Sequence, residues 1–209
     1  MRYALVGDSH DQAVWPLLKK KLEAAGHTVV LQRAEPGWSG ARYLQDGKIA
    51  GQLRDARPDV VVYHVSSNNN QLNAGAYEPT VAALIRLAKD AGAKTIYWEG
   101  PSVAVRAPWS AAHETTAQLE QQIVPRLGAI WIDTRPWTAA GHRSDGVHFE
   151  APAYSLWATA LSSKVQYEYD GHIYIHIPPM DGGNLPKRWV WGGVALVTGA
   201  VLAVAWAWR

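Results

Sequence analysis

The chain has 209 residues, 48% hydrophobic and 18% charged, enough apolar material for one packed domain and an appendage. Its 20 basic and 18 acidic residues leave a formal charge of +2, which supplies no electrostatic reason to bind nucleic acid. It has no cysteine, so disulfides, thiolate catalysis and cysteine-ligated zinc are excluded.

At the amino terminus Met1-Arg2 leads into a short apolar run that ends at Asp8. An h-region needs roughly 7–15 apolar residues, so no signal peptide is expected. Residues 3–6 predict a first strand, which runs straight into Gly7-Asp8-Ser9-His10. A serine beside a glycine at a strand end sits where the backbone can turn sharply and present a hydroxyl to solvent. Pro16 opens a helical pattern that Gly26 closes, and residues 28–31 read as the second strand. Strands follow at 60–65, 95–98 and 129–132, each rich in Val, Ile or aromatic residues. Helical patterns lie between and after them, from Pro79 to Gly92, over 114–127, and from Pro152 to Lys164. This alternation predicts a flavodoxin-like three-layer α/β/α domain over residues 1–164, with a parallel five-stranded sheet. Ligands of such sheets bind beyond the carboxyl ends of the strands, where Ser9 and residues 66–70 fall.

After residue 164 the pattern changes. Residues 165–169 and 172–177 alternate around Asp170-Gly171, a two-residue turn signal that predicts a β-hairpin over 165–177. On that hairpin His172 and His176 share one face, as a surface or interface stripe. Residues 178–188 read as a linker. Residues 189–208 carry no charge, and a helix of that length spans roughly 30 Å, the thickness of a bilayer core. Trp189 and Trp191 open the run, and Trp206 and Trp208 close it, in the manner of interfacial belts. A carboxyl-terminal transmembrane anchor is therefore expected. Lys187-Arg188 lie on the domain side, which places the domain in the cytoplasm by the positive-inside bias.

Four blocks carry the chemistry. They are Gly7-Asp8-Ser9, Gly40 within Pro36-Gly37-Trp38-Ser39-Gly40, the run Ser66-Ser67-Asn68-Asn69-Asn70, and Asp145-Gly146-Val147-His148. In order and spacing they resemble the SGNH (GDSL-like) hydrolases over about residues 1–164. Ser66 stands in place of that family's glycine and Asn69 in place of its aspartate. The resemblance implies Ser9 as nucleophile, His148 as base and Asp145 as its orienter. It further implies an oxyanion hole from the amides of Ser9 and Gly40 and the side chain of Asn68, with Asn69 or Asn70 as alternatives if the loop is displaced. No metal or cofactor is implied.

His10 reads as a substrate contact or a helix cap, and Asn69 and Trp38 are further candidate substrate contacts. Trp38, Trp109 and Trp137 fall on loops near the active edge, where they stack on substrate or cover the core. His64, inside a strand, reads as a hydrogen-bonded core residue. The function expected is a serine ester hydrolase, a carbohydrate O-deacetylase or small-acyl esterase, acting on an acylated small molecule or glycan. Two alternatives stand beside it: a non-catalytic structural or binding protein of a cell envelope or virion, and an O-acyltransferase using the same serine.

Overall fold

In the computed structural model, residues 1–69 and 74–167 are described. The predicted linker and transmembrane segment, and the hairpin beyond residue 167, lie outside them. Among the described residues no helix is long and apolar enough to cross a membrane.

The expected strands form as β1 (Arg2–Gly7), β2 (Thr28–Ala34), β3 (Val60–His64), β4 (Thr95–Glu99) and β5 (Ile130–Ile132). All pair in parallel, in the order β2-β1-β3-β4-β5. Central strands of such a sheet are covered on both faces, which is why β3 reads as Val-Val-Val-Tyr-His with every residue buried. Successive side chains alternate between the faces. Tyr3, Leu5, Val60 and Val62 pack against Trp15, Leu18, Trp157 and Leu161 of helices α1 (Asp11–Ala24) and α6 (Ala151–Tyr167). Ala4, Val6, Val61 and Tyr63 face the other layer, formed by α2 (Gly40–Asp46), α3 (Lys48–Ala56), α4 (Ala74–Asp90) and α5 (Trp109–Arg126). The strand order reverses between β1 and β3, so the crevice at this switch point opens between the loops that follow those two strands.

The helix starts differ from the sequence expectation. α1 begins at Asp11, with Pro16 inside it, and α4 begins at Ala74, with Pro79 inside it. The proline signal is outweighed in α1 because the turn after β1 caps the helix itself. There the His10 amide donates to Asp8 Oδ1 at 3.0 Å, and the Asp11 amide donates to the Asp8 carbonyl at 3.3 Å. Likewise, α5 starts at Trp109 rather than Glu114. α2 and α3 were not expected; their signals are brief, Ser39 capping α2 by accepting from the Arg42 amide and the left-handed Gly47 between the two helices, and α3 buries only Ile49 and Leu53. Residues 165–167, expected to open the hairpin, instead finish α6. Val165 is buried there, and its carbonyl accepts from the Tyr3 hydroxyl at 2.9 Å, so the end of α6 is tied to the start of β1.

Candidate active site

The turn that carries Ser9 is held from beneath. Asp11 Oδ2 accepts from the Asp8 amide at 2.8 Å, and His64 Nδ1 lies 2.9 Å from the same oxygen. Gly7 is needed because the Asp11 carboxyl fills the space where a side chain would go: a Cβ there would lie 1.9 Å from Asp11 Oδ2. Gly7→Ala is expected to displace that carboxyl and the turn with it, at a cost of about 1–3 kcal/mol as for other overpacked sites. Thermal unfolding monitored by circular dichroism reads this; an unchanged midpoint would show that the turn accommodates the methyl.

His148 approaches Ser9 from the loop before α6. Its Nε2 lies 3.0 Å from Ser9 Oγ, and its Nδ1 lies 2.9 Å from Asp145 Oδ2. A carboxylate can only accept, so Nδ1 carries the proton and the Nε2 lone pair faces the serine. Asp145 Oδ1 accepts from the amides of Val147 and His148, each at 2.8 Å. The Val147 amide above all, with the His148 contacts, holds the Asp145 carboxyl well below the usual carboxylate range, so it stays ionised beside the His148 ring. Gly146 lets this turn close: its φ is +70°, and a Cβ at this position would lie 2.8 Å from Arg106 Cβ. Its carbonyl also accepts from the Val105 amide at 2.9 Å, which pins the loop carrying Arg106 to the turn of residues 145–148.

Between these loops lies a pocket of about 310 Å³, lined by Ser9, Ser67, Asn68, Arg106, Trp109 and His148, among others. The Ser9 amide makes no hydrogen bond among the described residues, so it is available to an oxyanion. Asn68 lines the pocket, and its Nδ2 spends one hydrogen on the Trp38 carbonyl at 3.3 Å, leaving the second.

Gly40 is not placed as an oxyanion donor. Its amide donates to the Val65 carbonyl at 3.2 Å, and its bare Cα packs where a Cβ would meet Leu84 Cδ1 at 3.0 Å. This glycine serves the close approach of α2 to α4. Trp38 does not line the pocket either; its ring packs edge-on to Tyr43 at 5.0 Å with Arg33 at 4.9 Å over it. Asn69 is buried, with its amide donating to the Ser66 carbonyl at 3.0 Å. His10 makes no side-chain cap on α1. Its ring is fully buried 5.1 Å from the His148 ring, with Nδ1 3.3 Å from the Tyr154 hydroxyl, and it forms the floor of the pocket. Burial, then the neighbouring His64, drives the His10 pKa well down and keeps the ring neutral beside His148. Ser66 does not crowd the site: its hydroxyl points into the core, donating to Glu120 Oε1 at 2.5 Å and accepting from Trp98 Nε1 at 3.2 Å.

No family model and no curated protein sequence matches the chain. Solved structures do match. A protein from Slackia heliotrinireducens assigned to the SGNH hydrolases superposes with a TM-score of 0.64 at 23% identity, over 79% of this chain and 98% of that one. The fold is that of the SGNH hydrolases. An acetyl-xylooligosaccharide esterase from Geobacillus stearothermophilus, solved as a point variant, gives a TM-score of 0.63 at 16% identity, covering 80% of this chain and 94% of that chain. The aryl esterase of M. smegmatis gives 0.62 at 14% identity, over 78% and 97%. Within this fold His64 is the hydrogen-bonded core residue that its sequence position suggested, but the rest of the buried polar layer under Ser9 was missed: Asp8, Asp11, Glu99 and Glu120 are all fully buried. Its one sequence signal was the pair of charged or polar residues closing otherwise apolar strands, His64 on β3 and Glu99 on β4.

Proposed function

We propose that this domain is a serine ester hydrolase that removes small acyl groups through an acyl-serine intermediate. The observation that carries the reading is the continuous chain of contacts from Asp145 through His148 to Ser9, opening into one pocket. In the first half-reaction Ser9 Oγ attacks the ester carbonyl as its proton passes to His148 Nε2, and Asp145 stabilises the imidazolium. The tetrahedral oxygen accepts from the Ser9 amide and the free hydrogen of Asn68 Nδ2. Collapse returns the proton from His148 to the departing alcohol, and water then repeats the sequence to release the acid.

Substrate class follows from size and lining. A pocket of about 310 Å³ lies at the small end of ligand sites, which span roughly 300–1,000 Å³, and suits an acetyl-sized group. Trp109 supplies an aromatic wall for a sugar face or a small alcohol. The acetyl-xylooligosaccharide esterase among the structural neighbours supports acetyl on a glycan as the bond cleaved. The charge-free run 189–208 would hold the domain at the cytoplasmic face of a membrane. Sedimentation of the full chain with membranes, retained in high salt and released by detergent, is the expected result; recovery in the soluble fraction overturns the anchor. The enzymatic reading is tested by labelling with a fluorophosphonate and by p-nitrophenyl acetate hydrolysis, both of which require an activated Ser9.

A further inference from the structure

We propose that the Ser67 hydroxyl is a third oxyanion donor, its proton aimed into the pocket by a buried His64 imidazolium. The inference rests on the esterase reading above and supplies the donor that Gly40 does not.

Ser67 is only 4% exposed, yet it lines the same pocket as Ser9, Asn68 and His148. Its carbonyl is fixed 3.0 Å from His113 Nε2, which holds the loop after β3 against α5. Its Oγ lies 3.3 Å from His64 Nε2. The direction of that contact depends on the His64 proton count. His64 Nδ1 must donate, because the atom 2.9 Å from it is Asp11 Oδ2 and a carboxylate accepts only. In a neutral His64, Nε2 would be a bare lone pair that draws the Ser67 proton away from the pocket. In the imidazolium, Nε2–H donates to Ser67 Oγ and the hydroxyl proton is left for the pocket.

The surroundings favour the imidazolium. His64 is fully buried and faces two carboxylates, Asp11 at 2.9 Å and Asp8 at 3.9 Å, both also fully buried. Asp8 Oδ2 and Asp11 Oδ1 have no hydrogen-bond partner among the described residues, so the cluster needs a positive charge more than another acceptor. The other titratable groups facing His64 are Glu99 from β4, Glu120 from α5, His10 and His113. Burial opposes charge on His64, but Asp11 and Asp8 outweigh it and lift its pKa to about 10. Burial raises Glu99 to about 8, so at neutral pH that carboxyl is largely protonated and the charge facing His64 comes chiefly from Asp11 and Asp8. Burial lifts the Asp11 carboxyl too, to about 7, but its contact with His64 pulls it back down, and the imidazolium lies between Asp11 and Asp8 beneath Ser9. The same Asp11 oxygen holds the Asp8 amide, which couples the imidazolium to the Ser9 turn as well as to Ser67.

The test combines turnover with the protonation state. In full-length protein, Ser67→Ala is expected to lower kcat on p-nitrophenyl acetate by about 10²-fold with KM changed by less than about 3-fold, the signature of a donor used in the transition state. Ser67→Thr, which keeps the hydroxyl, should recover most of the loss. Nitrogen-15 NMR of the wild type should show both His64 ring nitrogens protonated at pH 8. A Ser67→Ala kcat within about 3-fold of wild type overturns the proposal, and so does a neutral His64 at pH 8. Activity lost on chelation and restored by a divalent ion would put an ion where the proton is assigned, and overturns it too. If the wild type neither labels with fluorophosphonate nor hydrolyses ester, the esterase reading fails by itself. The NMR then still judges the His64–Ser67 contact, with a neutral ring overturning it and an imidazolium supporting the polarised hydroxyl.

Discussion

Ser9→Ala is expected to abolish fluorophosphonate labelling and to lower kcat on p-nitrophenyl acetate by ~10⁴-fold or more, the loss usual when a triad member is removed. The serine hydroxyl is held by His148 Nε2 at 3.0 Å, so the substitution removes the nucleophile without disturbing the packing around it. The folded state should therefore survive, and an unchanged circular dichroism spectrum and melting midpoint check that. His148→Asn should cost a similar factor, and the double variant no more than either alone, because nucleophile and base act as one unit. Asp145→Asn should also be severe, since an amide would give up the charge that steadies the imidazolium and can present the wrong group to Nδ1. Equal hydrolysis by wild type and Ser9→Ala would remove the esterase reading and leave a binding module with the same fold.

The second large effect is on stability and lies at Glu120. This α5 carboxyl is fully buried, with Oε1 accepting from Ser66 Oγ at 2.5 Å and from the Tyr77 hydroxyl. Burial drives it up from 4.5 to about 7, against the pull of those two hydroxyls. A raised carboxyl stabilises the fold fully below its unfolded value, and that stability is lost as pH rises through the folded value. Between pH 4.5 and about 7 the unfolded chain sheds a proton that the folded chain keeps, so stability falls by roughly 3 kcal/mol across the window. Glu120→Gln removes this ionisation and keeps an acceptor for both hydroxyls. The amide nitrogen takes the place of Oε2, which has no partner among the described residues, but that cost is the same at every pH. The drop in melting midpoint from pH 5 to pH 8 should therefore shrink by about 6–12 °C in Glu120→Gln relative to wild type. Parallel curves for the two proteins would show that Glu120 ionises in the folded state as it does in the unfolded one. Glu99, lifted to about 8, adds a loss of the same sign that the variant retains.

How far the site could be read from residues alone varies with how local its causes are. β1 and β3 are apolar runs bounded by turn residues, and their periodicity needs no partner to be recognised. Asp145 and His148 sit three residues apart in one turn, and both of the Asp145 Oδ1 contacts are to amides within that turn. Such pairs are visible in a single stretch of chain. Gly40 shows the opposite case. Gly37 and Gly40 both follow β2 closely, and nothing in the string distinguishes a glycine that frees an amide from one that lets α2 approach α4. Only the Val65 carbonyl and the Leu84 side chain, both distant in sequence, decide it. The start of α1 failed for a related reason: proline marks where a helix tolerates a missing donor, while the actual start depends on the turn contacts that precede it.

By itself, then, the sequence determined an α/β domain with parallel strands, a serine at the end of the first strand and a histidine–aspartate turn before the last helix. These follow from hydrophobic period, turn residues and close spacing, which are properties of short segments. The tertiary structure decided which groups meet. β1 and β3 pair in register, with Gly7 opposite His64, and so bring the Ser9 turn and the Ser67–Asn68 loop to one crevice. It also buried Asp8, Asp11, His64, Glu99 and Glu120 beneath that crevice. Their charge states come from loss of water and from each other's proximity, quantities that exist only once strands distant in sequence lie side by side.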